Sequence, residues 1–192
     1  MPQKPFEASV VGKAAVRRFG PGEHATPGDF EPGDFILTHG SSFFSHLIRF
    51  GQRLRFWGGD RPFAWWNHAA MVVSHEGGLI EALGPGVQRS HIKKYQPTEY
   101  HLVSIAAIVS GNDRAEAVAF ATWCLGLKYG YVTIVSIALS LLTGGKFTFG
   151  FDGQAICSGL VARALERTQA IFNRTPSHIV PADLAKYFDV KP

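Results

Sequence analysis

Three residues of this 192-residue chain have the types and surroundings needed for acyl-transfer chemistry: Cys157, His68 and Glu81. Cys157 is followed by apolar residues three, four, seven and eight positions later, so it shares the inward-facing stripe of a predicted helix. A thiol at a helix N-terminus feels the positive end of the dipole, which lowers its pKa, and the Cys157 N–H could serve an oxyanion. Free cysteines also pack as small hydrophobic residues. The cysteine alone therefore leaves both roles open.

His68 is the polar exception at the start of "HAAMVV", an apolar run typical of a central strand, and Glu81 lies among apolar neighbours in "LIEAL". A lone His there is commonly structural, whereas a buried carboxylate needs a partner. If the hairpin loop is centred between Ser74 and His75, the two residues lie directly opposite each other, with about 5 Å between Cβ atoms. If the turn is "HEGG", Glu81 faces Val72 and the contact is lost. The sequence leaves this register open.

Composition indicates one globular domain, since 46% of residues are hydrophobic and 18% are charged. The net charge of +4 is compatible with an anionic partner surface, but the basic residues are scattered and match no nucleic-acid motif, so nucleic acid is not favoured. The two cysteines form no CxxC pair, and we expect a reduced compartment. The start shows no secretory signal. The longest apolar stretch, "YVTIVSIALSLLTG", is shorter than the roughly 20 residues of a membrane span. A cytoplasmic protein is predicted, and release by phage-type lysis stays open.

Gly, Pro and charged residues dominate the first thirty positions, which predicts an irregular N-terminal arm over residues 1–30 and one domain over residues 31–192. Helical spacing occurs in "SSFFSHLIRFGQRL", "NDRAEAVAFATWCLGL", residues 131–142, the Cys157 segment and "PADLAKYF". Strand patterns occur in "GDFILTH", "HAAMVVS", "GLIEAL", "GVQRSHI" and "YHLVSIAAIV". Strands grouped in the middle of the chain and helices grouped after them predict an α+β fold.

The order "GDFIL", "NHAAMVV", "LIEAL", "LKYGY", "ICSGLVARAL" and "PADLA" resembles the permuted NlpC-like papain-fold cysteine hydrolases of the YiiX/YaeF-like amidase and peptidase group. The resemblance covers roughly residues 30 to 188 and comes from the order and spacing of short motifs. It implies a papain-like fold, in which the cysteine helix packs on a small antiparallel sheet and the histidine strand precedes that helix in circularly permuted order. It also implies Cys157 as nucleophile, His68 as base and Glu81 as the residue that orients the imidazole.

The implied chemistry is hydrolysis of an amide or ester through a thioester on Cys157, without cofactor or metal. The remaining histidines form no recognisable ligand set, and surface or structural roles are expected for His39, His46, His75, His91 and His101. If Glu81 does not orient the imidazole, His75 and His91 are the next candidates. Cys124 has the spacing of a core residue and should be inert.

A small peptide, an acyl-amide or a lipid-like molecule is the expected substrate. Cell-wall endopeptidase, lipid-directed acyltransferase and a non-catalytic binding or structural module on the same fold remain alternatives. Residues 131–142 are interpreted either as a core helix or as a wall for an acyl chain. Ordinary NlpC peptidases commonly carry an acidic residue before the cysteine, to pair with a free amine, and this chain has Ile156 there. An uncharged, N-acylated substrate is therefore expected, unless another acid such as Asp152 reaches the pocket.

Overall fold

A six-stranded antiparallel sheet forms the centre of the protein, which is represented by a computed structural model describing residues 14–39, 43–129, 154–168, 170 and 176–192. In chain order the strands are β1 (Ala15–Phe19), β2 (Phe35–Thr38), β3 (His68–Val72), β4 (Gly78–Leu83), β5 (Gly86–His91) and β6 (Tyr100–Ser104). They lie side by side in the order β1-β6-β2-β3-β4-β5. A short parallel pair, β7 (Lys128–Tyr129) and β8 (Gln154–Ala155), forms a second sheet beside β5.

Helices account for the remaining regular structure of the described ranges, so the predicted α+β class is confirmed. The α-helices are α1 (Phe43–Arg55), α2 (Gly111–Trp123), α3 (Cys157–Leu165) and α4 (Pro181–Tyr187). Short 3-10 turns cover Pro27–Asp29, Gly58–Trp65, Ile92–Tyr95, Glu166–Thr168 and Pro176–His178. The predicted helix over 131–142 lies outside the described residues.

The two faces of the sheet bury two hydrophobic clusters, as the apolar composition of β2 and β3 requires. Leu37, Ala69 and Met71 pack with residues of α2, α3 and α4 on one face. Ala70 and Val72, which alternate with them along β3, pack on the other face against the segments around Phe30 and Tyr95. Burying each large aliphatic side chain favours folding by about 1.5–3 kcal/mol. The fully buried β3 therefore gives a rigid base for His68, its first residue.

One hydrogen-bonded side chain fixes the chain just before β3. Gln52 in α1 donates from Nε2 to the carbonyl oxygen of Trp66 at 2.7 Å and accepts at Oε1 from the backbone N–H of Ala182 at 2.9 Å. Both contacts are buried, so replacing Gln52 would leave unpaired polar groups in the core. The approach to His68 is thereby tied to α1 and α4.

Within the irregular arm expected over residues 1–30, the described residues 14–30 include a 3-10 turn at Pro27–Asp29 and an edge strand, Ala15–Phe19, which pairs with β6. Arg17 and Arg18 interrupt any apolar alternation there, and this is why the sequence did not reveal a strand. Backbone hydrogen bonds to β6 form regardless of side-chain type. Phe19 adds a stacked contact with Tyr100 at 4.9 Å between ring centroids.

The β3–β4 register differs from both alternatives considered from the sequence. Met71 pairs with Ile80 and Val72 with Leu79, around a turn in which the Gly77 N–H donates to the Ser74 carbonyl. Continuing this register places Glu81 opposite Ala70. The observed β3–β4 register is shifted by two residues from each alternative. Because side chains alternate with a period of two, the side chains of His68 and Glu81 stay on the same face of the sheet. His68 and Glu81 are therefore diagonal neighbours on one face, within reach of each other's side chains.

Candidate active site

Cys157 is the first residue of α3 and is held in place by contacts of the residues that follow it. The Ser158 hydroxyl donates to the carbonyl oxygen of Ile179 at 2.6 Å, which attaches the first turn of the helix to the segment before α4. Gly159 allows the Pro176 carbonyl to approach closely, because a Cβ there would lie 3.0 Å from that oxygen. The thiol is buried, with the residue only 1% exposed.

His68 lies between the other two predicted site residues and contacts both. Its Nε2 is 2.6 Å from Oε2 of Glu81. Because a carboxylate can only accept, Nε2 is the donor in this bond. The Cys157 sulfur is also hydrogen-bonded to the His68 side chain, and Nδ1 is the ring nitrogen that remains for this bond. The structure therefore brings together all three predicted residues.

Glu81 is fully buried and is held by two further residues that sequence reasoning missed. The Tyr95 hydroxyl donates to Oε2, and the Lys94 ammonium donates to Oε1 at 3.0 Å. Both residues belong to the 3-10 turn after β5, and the Tyr95 ring packs 5.8 Å from the imidazole of His68. The available signal was the Lys94–Tyr95 pair in "HIKKY", which lies in the turn directly after β5, the strand that neighbours the Glu81 strand. The sequence does not show that both side chains reach Glu81, because this depends on the β4–β5 register.

The charges of the three residues stabilise one another. Burial alone would lower the pKa of His68, but the Cys157 thiolate and Glu81 raise it to about 9. Burial alone would raise the pKa of Glu81, but the hydrogen bond and charge of His68 lower it to about 2. The same opposition applies to Cys157, where burial acts to raise the pKa and the His68 charge lowers it. The arrangement favours an imidazolium between a thiolate and a carboxylate at neutral pH.

Backbone N–H groups add to the stabilisation of the thiolate. The N–H groups of Ala69 in β3 and Ser158 in α3 hydrogen-bond to the Cys157 sulfur and lower its pKa further. The first N–H groups of a helix have no partner within it, so the Cys157 N–H at the start of α3 is also available to a developing negative charge. Sequence reasoning identified the Cys157 N–H but not that of Ala69.

Cys124 has the opposite surroundings. It directly follows α2 as the C-cap residue, belongs to the main hydrophobic cluster and is 3% exposed, and burial raises the pKa of its thiol. Neither cysteine is in a disulfide. The two thiols therefore provide an internal comparison of a paired and an unpaired cysteine.

Two of the histidines for which surface or structural roles were expected, His39 and His101, lie beside the same carboxylate. Nε2 of His39 is 3.8 Å from Oε2 of Glu99, and Nε2 of His101 is 3.3 Å from Oε1 of the same carboxylate. Residue 39 follows the end of β2, and Leu37 pairs with His101, so the β2–β6 register brings them together. Burial lowers the pKa of both imidazoles.

The other histidines have local contacts. Nδ1 of His75 is 3.0 Å from the Phe30 carbonyl oxygen, and Nδ1 of His91 accepts the Lys93 N–H at 3.2 Å. His46 is exposed on α1. Among the described residues, no group of three or more His, Cys, Asp or Glu side chains is placed to hold a metal ion. Asp152, the alternative acid, lies outside the described residues.

Comparison with models of known protein families gave no match, and comparison with curated proteins gave none either. No helix in the described ranges has the length and apolar character required to cross a bilayer. The functional conclusion therefore depends on the geometry and electrostatics of Cys157, His68 and Glu81.

Proposed function

We propose that this protein is a cysteine hydrolase that cleaves an amide or ester bond through a thioester intermediate. The observation that carries the proposal is the position of His68, which hydrogen-bonds Cys157 with one side of its ring and Glu81 at 2.6 Å with the other. A nucleophile next to a base that is itself oriented by a third group is the general signature of nucleophilic catalysis.

In the first half of the reaction, the Cys157 thiolate attacks the substrate carbonyl carbon to give a tetrahedral oxyanion. The Cys157 N–H is placed to donate to that oxygen. Collapse breaks the bond to the amine or alcohol, and the His68 imidazolium gives its proton to the departing group. The product of this half is a thioester on Cys157 and a neutral His68.

In the second half, neutral His68 takes a proton from water as the water oxygen attacks the thioester. Collapse of the second oxyanion releases the carboxylic acid and regenerates the thiolate beside the imidazolium. Glu81 keeps its charge throughout, since its pKa is about 2, and holds the imidazole in a fixed orientation.

The proposed fold family is the permuted NlpC-like papain fold suggested by the motif order. Its support is the order of elements, in which the histidine strand β3 and the Glu81 strand β4 precede the cysteine helix α3. Contacts between Ala69 and Met71 of β3 and the apolar face of α3 agree with a cysteine helix packed on an antiparallel sheet. A cytoplasmic location remains a prediction from the sequence.

The proposed substrate carries an uncharged acyl group next to the scissile bond. Ile156 is 5% exposed and belongs to the main hydrophobic cluster, so it offers no charge to an ammonium group. Desolvating an unpaired ammonium costs at least a few kcal/mol. An N-acylated peptide, an acyl-amide or a lipid-like ester therefore suits the site better than a free-amine cell-wall peptide. Transfer of the acyl group to an acceptor other than water would use the same first half-reaction.

A non-catalytic role on the same fold is the second candidate, and the burial of the thiol favours it. Cys157 is 1% exposed and His68 is 4% exposed, so a substrate carbonyl needs a path to the sulfur. If Cys157 and His68 form a reactive ion pair, added substrate should be turned over, whereas a buried structural pair should give no turnover.

The test is hydrolysis of a panel of nitrophenyl esters and N-acetylated or free-amine peptide amides, with the intact mass of the enzyme followed over time. The wild type should show turnover and a transient adduct on Cys157, and it should prefer the N-acetylated peptide. Cys157→Ser should fold and lose turnover, whereas Cys124→Ala should keep it. Turnover that survives in Cys157→Ser, or its absence from the wild type on the whole panel, would contradict the proposal.

A further inference from the structure

A surface cavity of about 140 Å³ lies beside the Gly58–Trp65 segment that leads into β3. Arg53 of α1, Arg61 and Trp65 line the cavity. The other lining residues are Pro62, Ala64 and Pro192. A cavity needs only about 10–15 Å³ to hold a water molecule. This one has room for a tetrahedral oxyanion.

The two arginines in the cavity have no acidic partner among the described residues. Neither Arg53 nor Arg61 forms an ion pair with a carboxylate in the part of the chain that the structure describes. Arg55, two residues after Arg53, is instead paired with Asp183 at 2.5 Å. The cavity therefore combines two guanidinium groups that form no ion pair with the described residues.

A third guanidinium lies over the ring of Trp65, one of the residues that line the cavity. Arg49 lies one helical turn before Arg53, with its guanidinium carbon 4.7 Å from the ring centroid of Trp65. Its Nε is buried and has no hydrogen-bond partner among the described residues. Like charges four residues apart on a helix repel each other, and burial together with the Arg53 charge lowers the pKa of Arg49. A bound anion would relieve this repulsion.

We infer that the cavity between Arg53, Arg61 and Trp65 binds a phosphate-class oxyanion. A phosphate group carries about −1.5 to −2 charge, which suits several guanidinium groups better than one carboxylate does. Planar guanidinium groups also donate in pairs to phosphate oxygens. The inference does not depend on the proposed hydrolase activity.

The position of the cavity relates this site to the candidate active site. Trp65 is three residues before His68, and three residues of extended chain span at most about 11 Å. Two sources supply a phosphate group of this kind: a phosphorylated small molecule and a lipid headgroup. Phe50 in α1 and Trp57 just after its end are 54% and 72% exposed, and exposed aromatic side chains of this kind are suited to a lipid surface.

Isothermal titration with inorganic phosphate at low ionic strength tests the site itself. The wild type should bind saturably, and Arg53→Gln/Arg61→Gln should bind about tenfold to hundredfold more weakly, as expected for lost charge-assisted hydrogen bonds. Arg18→Gln/Arg89→Gln, which removes the same charge from two exposed arginines elsewhere, should bind like the wild type. Equal affinities in all three proteins, or no saturable binding by the wild type, would overturn the inference.

Cosedimentation with vesicles distinguishes the two sources. If the group is a lipid headgroup, phosphatidylglycerol in phosphatidylcholine vesicles should retain the wild type and the Arg18→Gln/Arg89→Gln control. Arg53→Gln/Arg61→Gln should be released, and inorganic phosphate should compete. If it belongs to a small molecule, phosphate should bind in solution without vesicle retention. Retention that is equal in both double variants and insensitive to phosphate would contradict a phosphate-specific site.

Discussion

At the scale of single residues, the central feature is a buried imidazole placed between two groups that are anionic in the ion-pair state. Each anion raises the pKa of His68, and the charge on His68 lowers the pKa of Cys157 and Glu81 in return. Tyr95 and Lys94 contribute by donating to Glu81, which keeps that carboxylate ionised. Activity should therefore rise as Cys157 loses its proton and fall as pH passes the His68 pKa of about 9.

Glu81→Gln tests the electrostatic part of this arrangement. The amide keeps an acceptor for His68 but removes the negative charge, so the pKa of His68 should fall and that of Cys157 should rise. The pH profile of kcat/KM should narrow from both sides, and partial activity should remain. His68→Ala should lose activity by about a hundredfold or more. A Glu81→Gln profile with the wild-type limbs would show that another group sets the His68 pKa.

At the scale of elements, the position of Cys157, the proposed nucleophile, depends on the first turn of α3. Ser158 ties this turn to Ile179, and Gly159 lets it pack against the Pro176 carbonyl. The α1–α4 connection through Gln52 holds the approach to β3 in the same way. The distance between Cys157 and His68 is therefore set by packing outside the pair itself.

Gly159→Ala tests this dependence. Alanine usually stabilises a helix relative to glycine by about 1 kcal/mol, but here the new Cβ would lie 2.9 Å from Cγ1 of Ile156 and 3.0 Å from the Pro176 oxygen. The melting temperature should fall, and kcat/KM should drop by about tenfold or more because the thiolate is displaced.

Gly111→Ala is the matched control, since Gly111 begins α2 and has nothing within 4 Å of the added Cβ. Its melting temperature should stay the same or rise, with unchanged kinetics. Similar behaviour of the two variants in thermal unfolding and kinetics would show that the α3 contact does not position Cys157.

At the scale of the whole molecule, Asp34 links β3 to the end of β6, but its charged carboxylate is buried, which is unfavourable. Its Oδ1 accepts the Ile105 N–H at 2.9 Å, just after β6, and its backbone carbonyl accepts the Val72 N–H at 2.7 Å. Asp34 is fully buried, and its Oδ2 has no hydrogen-bond partner among the described residues. Burial therefore raises the pKa of this carboxyl above its ordinary 3.8.

Because the folded-state pKa is raised, the Asp34 contribution to stability is full below 3.8 and is lost as pH rises through the folded-state pKa. Asp34→Asn keeps an acceptor for the Ile105 N–H but cannot ionise, so it does not lose stability as pH rises. The melting temperature of Asp34→Asn minus that of the wild type should therefore be larger at neutral pH than in mild acid. Asp34→Ala should lower the free energy of unfolding by about 1–3 kcal/mol, because the Ile105 N–H loses its partner. A relative stability of Asp34→Asn that decreases from acid to neutral pH would contradict the account.

The sequence predicted those parts of the fold in which burial imposes a pattern. The continuous apolar run of β3, which is buried on both faces, and the helical spacing after Cys157 belong to this class, because polar residues at these positions would be placed in the core. The edge strand at Ala15–Phe19 escaped prediction, because backbone pairing without two-sided burial leaves little pattern.

The candidate site was predictable in its residue types and less so in its geometry. His68 and Glu81 were identifiable as polar exceptions in apolar strands, yet their diagonal contact depends on a register fixed by the Ser74–Gly77 turn. The role of Tyr95 could not be assigned from "HIKKY" alone, because its hydroxyl reaches Glu81 only after β5 folds back beside β4. Contacts between elements distant in sequence require the tertiary structure.

The most direct test of the central claim, that Cys157 is an activated thiolate, is its rate of alkylation relative to Cys124. Iodoacetamide is applied at about pH 6.5, well below the ordinary thiol pKa of about 8.5, and labelling is followed by peptide mass spectrometry. Cys157 should be modified about tenfold faster or more, and His68→Ala should remove the difference. Equally slow labelling of both cysteines in the wild type would contradict the account.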